Sequence, residues 1–406
     1  MFYRLFIALS VLLLSPISSF AAESVLIKVK DPQSLESYRS FPAFKKVRKD
    51  VFVAQLEKEE MNVLQRSSNV LLVEKNRKLQ LFSQPNDLTS RLWGLKNSRG
   101  FDINALNAWK KTTGSKDVIV AIIDTGMDLN HPDLVDNLWI NEAEKNGQPG
   151  VDDDGNGYVD DLHGWNFPVS SNEPNDTRGH GTHVAGIVGA KGNNGKGIVG
   201  ANWDVSLMAL NMFAGSGQAE TSDAIMAIDY AVANGAKVIN ASWGAAQKDV
   251  EEEDFTLLAE AITRASDAGV TFVAASGNSR RNTDTTPFVP SSMDIPNIIA
   301  VGSMSRSGRL SSFSNYGKTT VDVVAPGSSI YSTYPGSYRS LSGTSMAAPF
   351  VAGIVALMLS VNPDLTPEEI RTILTDSCNP ARALANRSVC GGYIDAAKAL
   401  DKVPAL

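Results

Sequence analysis

The chain has 406 residues, 43% of them hydrophobic and 20% charged, with a formal net charge of −7 at pH 7. That balance allows a large core and two or three domains, and it excludes the basic footprint of a nucleic-acid-binding protein. Residues 1–21 read as a secretory signal: Arg4 is the only charge, an apolar run covers 5–14, and Ser19-Phe20-Ala21 offers small residues for cleavage after Ala21. The run is about half of the ~20 residues a membrane-spanning helix needs. An uncleaved anchor is the other reading of this stretch. No later stretch reads as a span, so the expected location is extracellular or periplasmic.

Residues 22–83 carry 12 Lys and Arg against 8 Asp and Glu, whereas 84–406 carry 24 against 36. A basic segment ahead of an acidic body suggests that the two bind each other. The first segment reads as a small α+β (ferredoxin-like) domain. Strands are expected at 24–30, 44–47, 50–56 and 70–73, and helices at 32–41 and 59–66. Residues 83–87, Ser-Gln-Pro-Asn-Asp, read as a linker. From Leu92 onward, short apolar runs at 118–123, 205–210, 238–240, 270–274 and 298–301 alternate with helices such as 221–233 and 255–267. Near-continuous apolar strands separated by helices predict a mostly parallel sheet covered on both faces. Sites in such sheets form where strands end.

Several polar clusters sit at those places. Asp124-Thr125-Gly126 follows the 118–123 strand, and a carboxylate there is costly unless paired. Arg178-Gly179-His180-Gly181-Thr182-His183 precedes a small-residue helix and holds two of the chain's four histidines. Ser342-Gly343-Thr344-Ser345 opens an apolar segment, 350–359, that reads as a buried helix. Taken alone, Ser345 is either an N-cap or a nucleophile beside the positive end of a helix. Acyl transfer needs a serine, an imidazole base and a buried carboxylate that holds the imidazole tautomer. Asp124, His180 and Ser345 supply these in that chain order. Asn278, in Ser276-Gly277-Asn278 at the end of another strand, can donate to a developing oxyanion together with the Ser345 N–H.

Four motifs together, Ile123-Asp124-Thr125-Gly126, the run from His180 to Gly186, Ser276-Gly277-Asn278 and the run from Gly343 to Pro349, resemble the subtilisin-like serine proteases (subtilases) over residues 90–400. The resemblance implies a three-layer α/β fold and a serine-type endopeptidase acting on proteins or peptides. Asp124 is then the orienting acid, His180 the base, Ser345 the nucleophile and Asn278 the oxyanion donor; His183 is a packing residue. It implies a substrate cleft with Gly215-Ser216-Gly217 as an edge strand for the peptide. Ser242-Trp243-Gly244 and Ala274-Ala275-Ser276 become the walls of a pocket, small enough to admit a large side chain. It also implies that 22–83 is a propeptide that chaperones and inhibits the enzyme until cut, between signal (1–21) and catalytic domain (84–406). The expected product is a monomer with no membrane attachment after signal cleavage. Two rival readings are an inactive scaffold of the same fold and a metal-dependent hydrolase.

The acidic stretch 152–161 carries oxygen side chains at Asp152, Asp154 and Asn156, then Gly157, as in the first half of a calcium loop. The Tyr158 carbonyl and Asp160 or Asp161 would complete it. His163 stands at the twelfth position, so this is not a full EF-hand. By resemblance, Asp133 and Asn194 match a second calcium site. Both ions would be structural rather than catalytic. Cys378 and Cys390 are the only cysteines and can close a small loop in an exported protein; whether they pair is open from sequence.

Overall fold

The run at 118–123 is β-branched and apolar, which suits a strand buried on both faces. In the computed structural model, which describes residues 22–76, 84–215, 217–246 and 255–404, it lies at the centre of the larger of two units. The units divide between Phe82 and Ser83. The signal reading over 1–21, the region from Arg77 to Ser83 and Ser216 fall outside the described residues.

The first unit is a four-stranded antiparallel sheet of β1 (Glu23–Val29), β2 (Lys45–Arg48), β3 (Val51–Leu56) and β4 (Val70–Lys75), in the order β2-β3-β1-β4. Val25, Ile27, Val29, Phe52, Ala54 and Leu56 alternate onto one buried face, joined by Leu64 of α1 (Lys58–Gln65). The expected first helix is instead a 3-10 segment, Pro32–Tyr38. Pro42 disfavours helical backbone at Phe41, which shortens it.

In the second unit β5 (Gly114–Asp124), β6 (Gly164–Asn166), β7 (Asp204–Asn211), β8 (Val238–Ala241), β9 (Thr271–Ala275), β10 (Ile298–Met304) and β11 (Val323–Pro326) form one sheet. Its order is β11-β10-β9-β8-β5-β7-β6, and the paired strands run parallel. Side chains alternate between two cores. Val120, Ile122, Leu207, Val273 and Ala275 face one, which holds α2 (His180–Gly189). Ala121, Ile123, Met208, Leu210 and Phe272 face the other, against α3 (Thr221–Ala233) and α4 (Thr256–Asp267). The result is the expected three-layer α/β architecture.

The apolar segment at 350–359 belongs to a longer helix, α5 (Thr344–Val361), which starts before Ser345. Contrary to the sequence reading, this helix is long and apolar enough to cross a membrane, but 83% of that window is buried inside the fold. A helix apolar on all sides is a core element here. A hairpin of β12 (Ile330–Tyr334) and β13 (Ser337–Leu341) packs beside α2. Cys378 and Cys390 are joined in a disulfide.

Candidate active site

β5 ends at Asp124, level with Asn211 of β7, and Ile123 pairs with Ala241 of β8. The C-terminal edge of the sheet thus collects Asp124, the start of α2 and Ser242. Asp124 is fully buried. Its Oδ1 and Oδ2 lie 2.7 and 2.9 Å from His180 Nδ1, and Oδ1 also accepts the Thr125 N–H at 2.7 Å. A carboxylate only accepts, so Nδ1 carries the proton and Nε2 keeps its lone pair. Burial alone would lower the His180 imidazole. The charge and hydrogen bond of Asp124, with Asp176 behind it, outweigh that and raise its pKa above the ordinary histidine value.

His183, one turn along α2, has the opposite environment. Burial pushes it down to about 4, and its Nε2–H donates to the carbonyls of Ile330 and Arg339 at 3.0 and 3.1 Å. It is a neutral strut between α2 and the hairpin. Gly181 lies between the two histidines because nothing larger fits. A Cβ there would stand 2.1 Å from the Gly126 carbonyl oxygen and 3.1 Å from Asp124 Cβ.

Ser345 is the second residue of α5, where backbone N–H groups lack helical partners. Its hydroxyl donates to the Ser242 carbonyl at 3.0 Å, and the Ser242 hydroxyl donates to the Ser345 carbonyl at 2.9 Å. Pro349 makes the second bond available. Lacking an N–H, it cannot take up the Ser345 carbonyl as the fourth residue on normally does. The Asn278 side-chain oxygen accepts from the Thr344 N–H at 2.8 Å and hydroxyl at 3.1 Å. That fixes the amide orientation and leaves Nδ2 as a donor beside the nucleophile's turn.

The cleft residues are placed less as expected. Gly215 and Gly217 form a tight turn rather than an edge strand: the Gly217 N–H donates to Ala214 O at 2.7 Å, with φ +81° at Gly217. Arg178 Nη1 holds this turn through Gly215 O at 2.9 Å. Ser242 is buried, and Trp243 Nε1 donates to Ile123 O at 2.9 Å. Ala274, Ala275 and Ser276 are buried, with Ala274 and Ala275 in opposite cores, so only their backbone is available to a peptide. A pocket of about 490 Å³ is lined by Trp243 and Gly244, two of the expected wall residues, with Phe213, Ala224, Leu258 and Val289, which the sequence does not point to.

In the acidic loop, oxygens of Asp152, Asp154 and Glu144 lie within 4.8 Å of one another. Glu144, from the short helix Glu142–Asn146, escaped the sequence reading. The Gly157 N–H, foremost, with those of Gly155 and Asn156, lowers the pKa of Asp152. Asn156 donates to both Asp154 (3.1 Å) and Asp161 (3.0 Å). Asp161 is fully buried and also accepts from Asn141 at 2.9 Å and from the Tyr230 hydroxyl. The Tyr158 ring packs inward against Trp165 and Tyr230. At the second group, Asn194 Nδ2 donates to Asp133 at 2.9 Å, and the Asn194 N–H donates to Asp87 Oδ2 at 3.0 Å. Asp87 Oδ1 is buried with no hydrogen-bond partner among the described residues, and burial followed by Asp133 raises its pKa. An orphaned carboxylate oxygen in the field of a second carboxylate fits a hard cation with oxygen ligands.

The profile of the subtilase family (peptidase S8) matches residues 115–392, so the chain belongs to that family. It is 38% identical over 314 residues to the thermophilic serine proteinase of Bacillus sp. (strain AK1), covering 75% of this chain and 69% of that one. It is 35% identical over 321 residues to subtilisin-like protease 1 of Plasmodium berghei (strain Anka), covering 75% of this chain and 52% of that one. The chain spans about half the length of the Plasmodium subtilisin-like protease 1 relatives it matches. Among solved structures, a protease of Pseudoalteromonas arctica superposes with a TM-score of 0.63 at 31% identity, over 79% of this chain and 100% of that one.

Proposed function

We propose that the chain is a secreted serine endopeptidase made as a precursor. His180 Nε2 takes the Ser345 proton as Oγ attacks the peptide carbonyl, and Asp124 stabilises the resulting imidazolium. Asn278 Nδ2 and the Ser345 N–H receive the oxyanion. His180 then gives its proton to the leaving amine, and water repeats the sequence on the acyl-enzyme. The observation that carries this reading is the buried Asp124 carboxylate at 2.7 Å from His180 Nδ1, which leaves Nε2 basic.

Residues 1–21 are the export signal in this reading, and 22–83 are a propeptide that is cut off and inhibits until then. Substrates are proteins or peptides, with the pocket beyond Trp243 taking an apolar side chain upstream of the cut bond. The mature enzyme acts as a monomer, outside the cell or in the periplasm. Asp152, Asp154, Asn156, Tyr158 O, Asp161 and Glu144 would hold one calcium, and Asp133, Asn194 and Asp87 a second. Calcium there supplies charge neutralisation that stiffens the fold and takes no part in the chemistry. Fluorophosphonate labelling of the processed protein with peptide mapping tests the core of the proposal. An adduct on Ser345 alone, absent in Ser345→Ala, is the expected result; no adduct on folded, calcium-loaded protein would reject it.

A further inference from the structure

Asn278 sits in a loop whose shape comes from elsewhere. Asn315, 2% exposed, donates Nδ2 to Ser276 O at 2.8 Å. Its Oδ1 accepts the N–H of Ser279 and of Arg281, both at 3.0 Å. Its own N–H donates to Gly277 O at 2.9 Å. One buried amide thus bonds backbone on both sides of Asn278. Two N–H groups meet one end of that amide and a carbonyl meets the other, which leaves its orientation unambiguous. The fit is close. Gly277 has φ +98°, and a Cβ there would lie 2.5 Å from Asn315 Nδ2.

We infer that Asn315 is a positioning residue for the oxyanion donor: it sets the backbone of 276–281 so that Asn278 Nδ2 faces the reacting carbonyl. The inference rests on the proposed role of Asn278. Thr344 fixes how the Asn278 amide is turned, whereas Asn315 fixes where its Cα stands. A donor displaced by about 1 Å loses up to about 10²-fold in rate without losing the substrate. A bond that matters only through the oxyanion acts on kcat and leaves KM alone.

A double-mutant cycle on the processed enzyme tests this. Asn278→Ala is expected to lower kcat by about 10²–10³-fold, the cost of one oxyanion donor. Asn315→Ala is expected to lower kcat about tenfold or more, with KM within about twofold. In the Asn278→Ala background the same change should have little further effect. A merely structural residue would cost the same factor in both backgrounds, and that result overturns the inference. So does unchanged kcat in Asn315→Ala when Asn278→Ala is impaired. Unchanged kcat in Asn278→Ala overturns the oxyanion reading and this inference with it. If Asn315→Ala fails to fold, Asn315→Asp keeps both acceptor bonds but sets a carboxylate oxygen against the Ser276 carbonyl in place of the donor. Its kcat loss should likewise vanish in the Asn278→Ala background.

Discussion

Replacing Gly181 by alanine adds one methyl group to a helix. On an exposed helix that change is favourable by about 1 kcal/mol. Here the methyl carbon would stand 2.1 Å from the Gly126 carbonyl oxygen. An ordinary contact needs about 1 Å more, and the obstacle is backbone, which cannot rotate away. α2 must therefore move off the Asp124–Gly126 turn by about 1 Å. The same turn carries Asp124, whose bonds to His180 are 2.7 and 2.9 Å long. Stretching them by that amount breaks them. Overpacking of this kind costs about 1–3 kcal/mol of stability, and a 1 Å error at a catalytic group costs about 10² in rate. We expect Gly181→Ala to fold with a lowered Tm and to lose about 10²-fold in kcat on a peptide substrate. The acid limb of its pH profile should also move downward as Asp124 loosens its hold on His180. Wild-type kcat in this variant would mean that α2 and the Asp124 turn are not rigidly apposed, and the reasoning would fail.

Two further outcomes follow from the electrostatics. His180 acts as a base only when neutral, and its pKa is raised by Asp124 against the effect of burial. Activity therefore rises with pH through a midpoint above the ordinary value of about 6.5, and Asp124→Asn moves that midpoint down; a kcat/KM profile with its midpoint at or below the ordinary value would contradict this. Chelation of calcium is expected to lower Tm, since a ligand at 100 times its Kd stabilises by about 2.7 kcal/mol. Asp87→Asn should blunt the response to added calcium, and a Tm indifferent to both calcium and chelator would remove the metal reading.

The parallel sheet and the order of Asp124, His180, Asn278 and Ser345 were legible because each sits where an apolar run ends or a helix begins. Periodicity finds those boundaries without help from the fold. Partners remote in sequence left no such trace. Asp87 reads as a linker residue until the fold sets it beside Asp133 and leaves its Oδ1 unpaired. Glu144 lies eight residues before Asp152, outside the loop spacing that signalled calcium. Resemblance makes Gly215-Ser216-Gly217 an edge strand, but the Gly217 N–H bonds back to Ala214 O in a turn. Asn315 stands in an ordinary Ser-Asn-Tyr-Gly stretch, and its bonds to 276–281 are visible only in three dimensions.

The two histidines of α2 show how far residue type alone can decide a role. They are three positions apart on one helix and share the same motif. His180 meets a fully buried carboxylate, whereas His183 meets only carbonyls. A carboxylate favours the protonated ring, so His180 can take the Ser345 proton as Oγ attacks and hold it without leaving its place. Burial disfavours the charged ring and the carbonyls offer no charge to offset it, so His183 stays neutral with a pKa of about 4. The division of labour is therefore fixed by where β5 ends and where the hairpin packs. Moving Asp124 by one residue along its strand would turn it to the other face of the sheet and leave both histidines as struts.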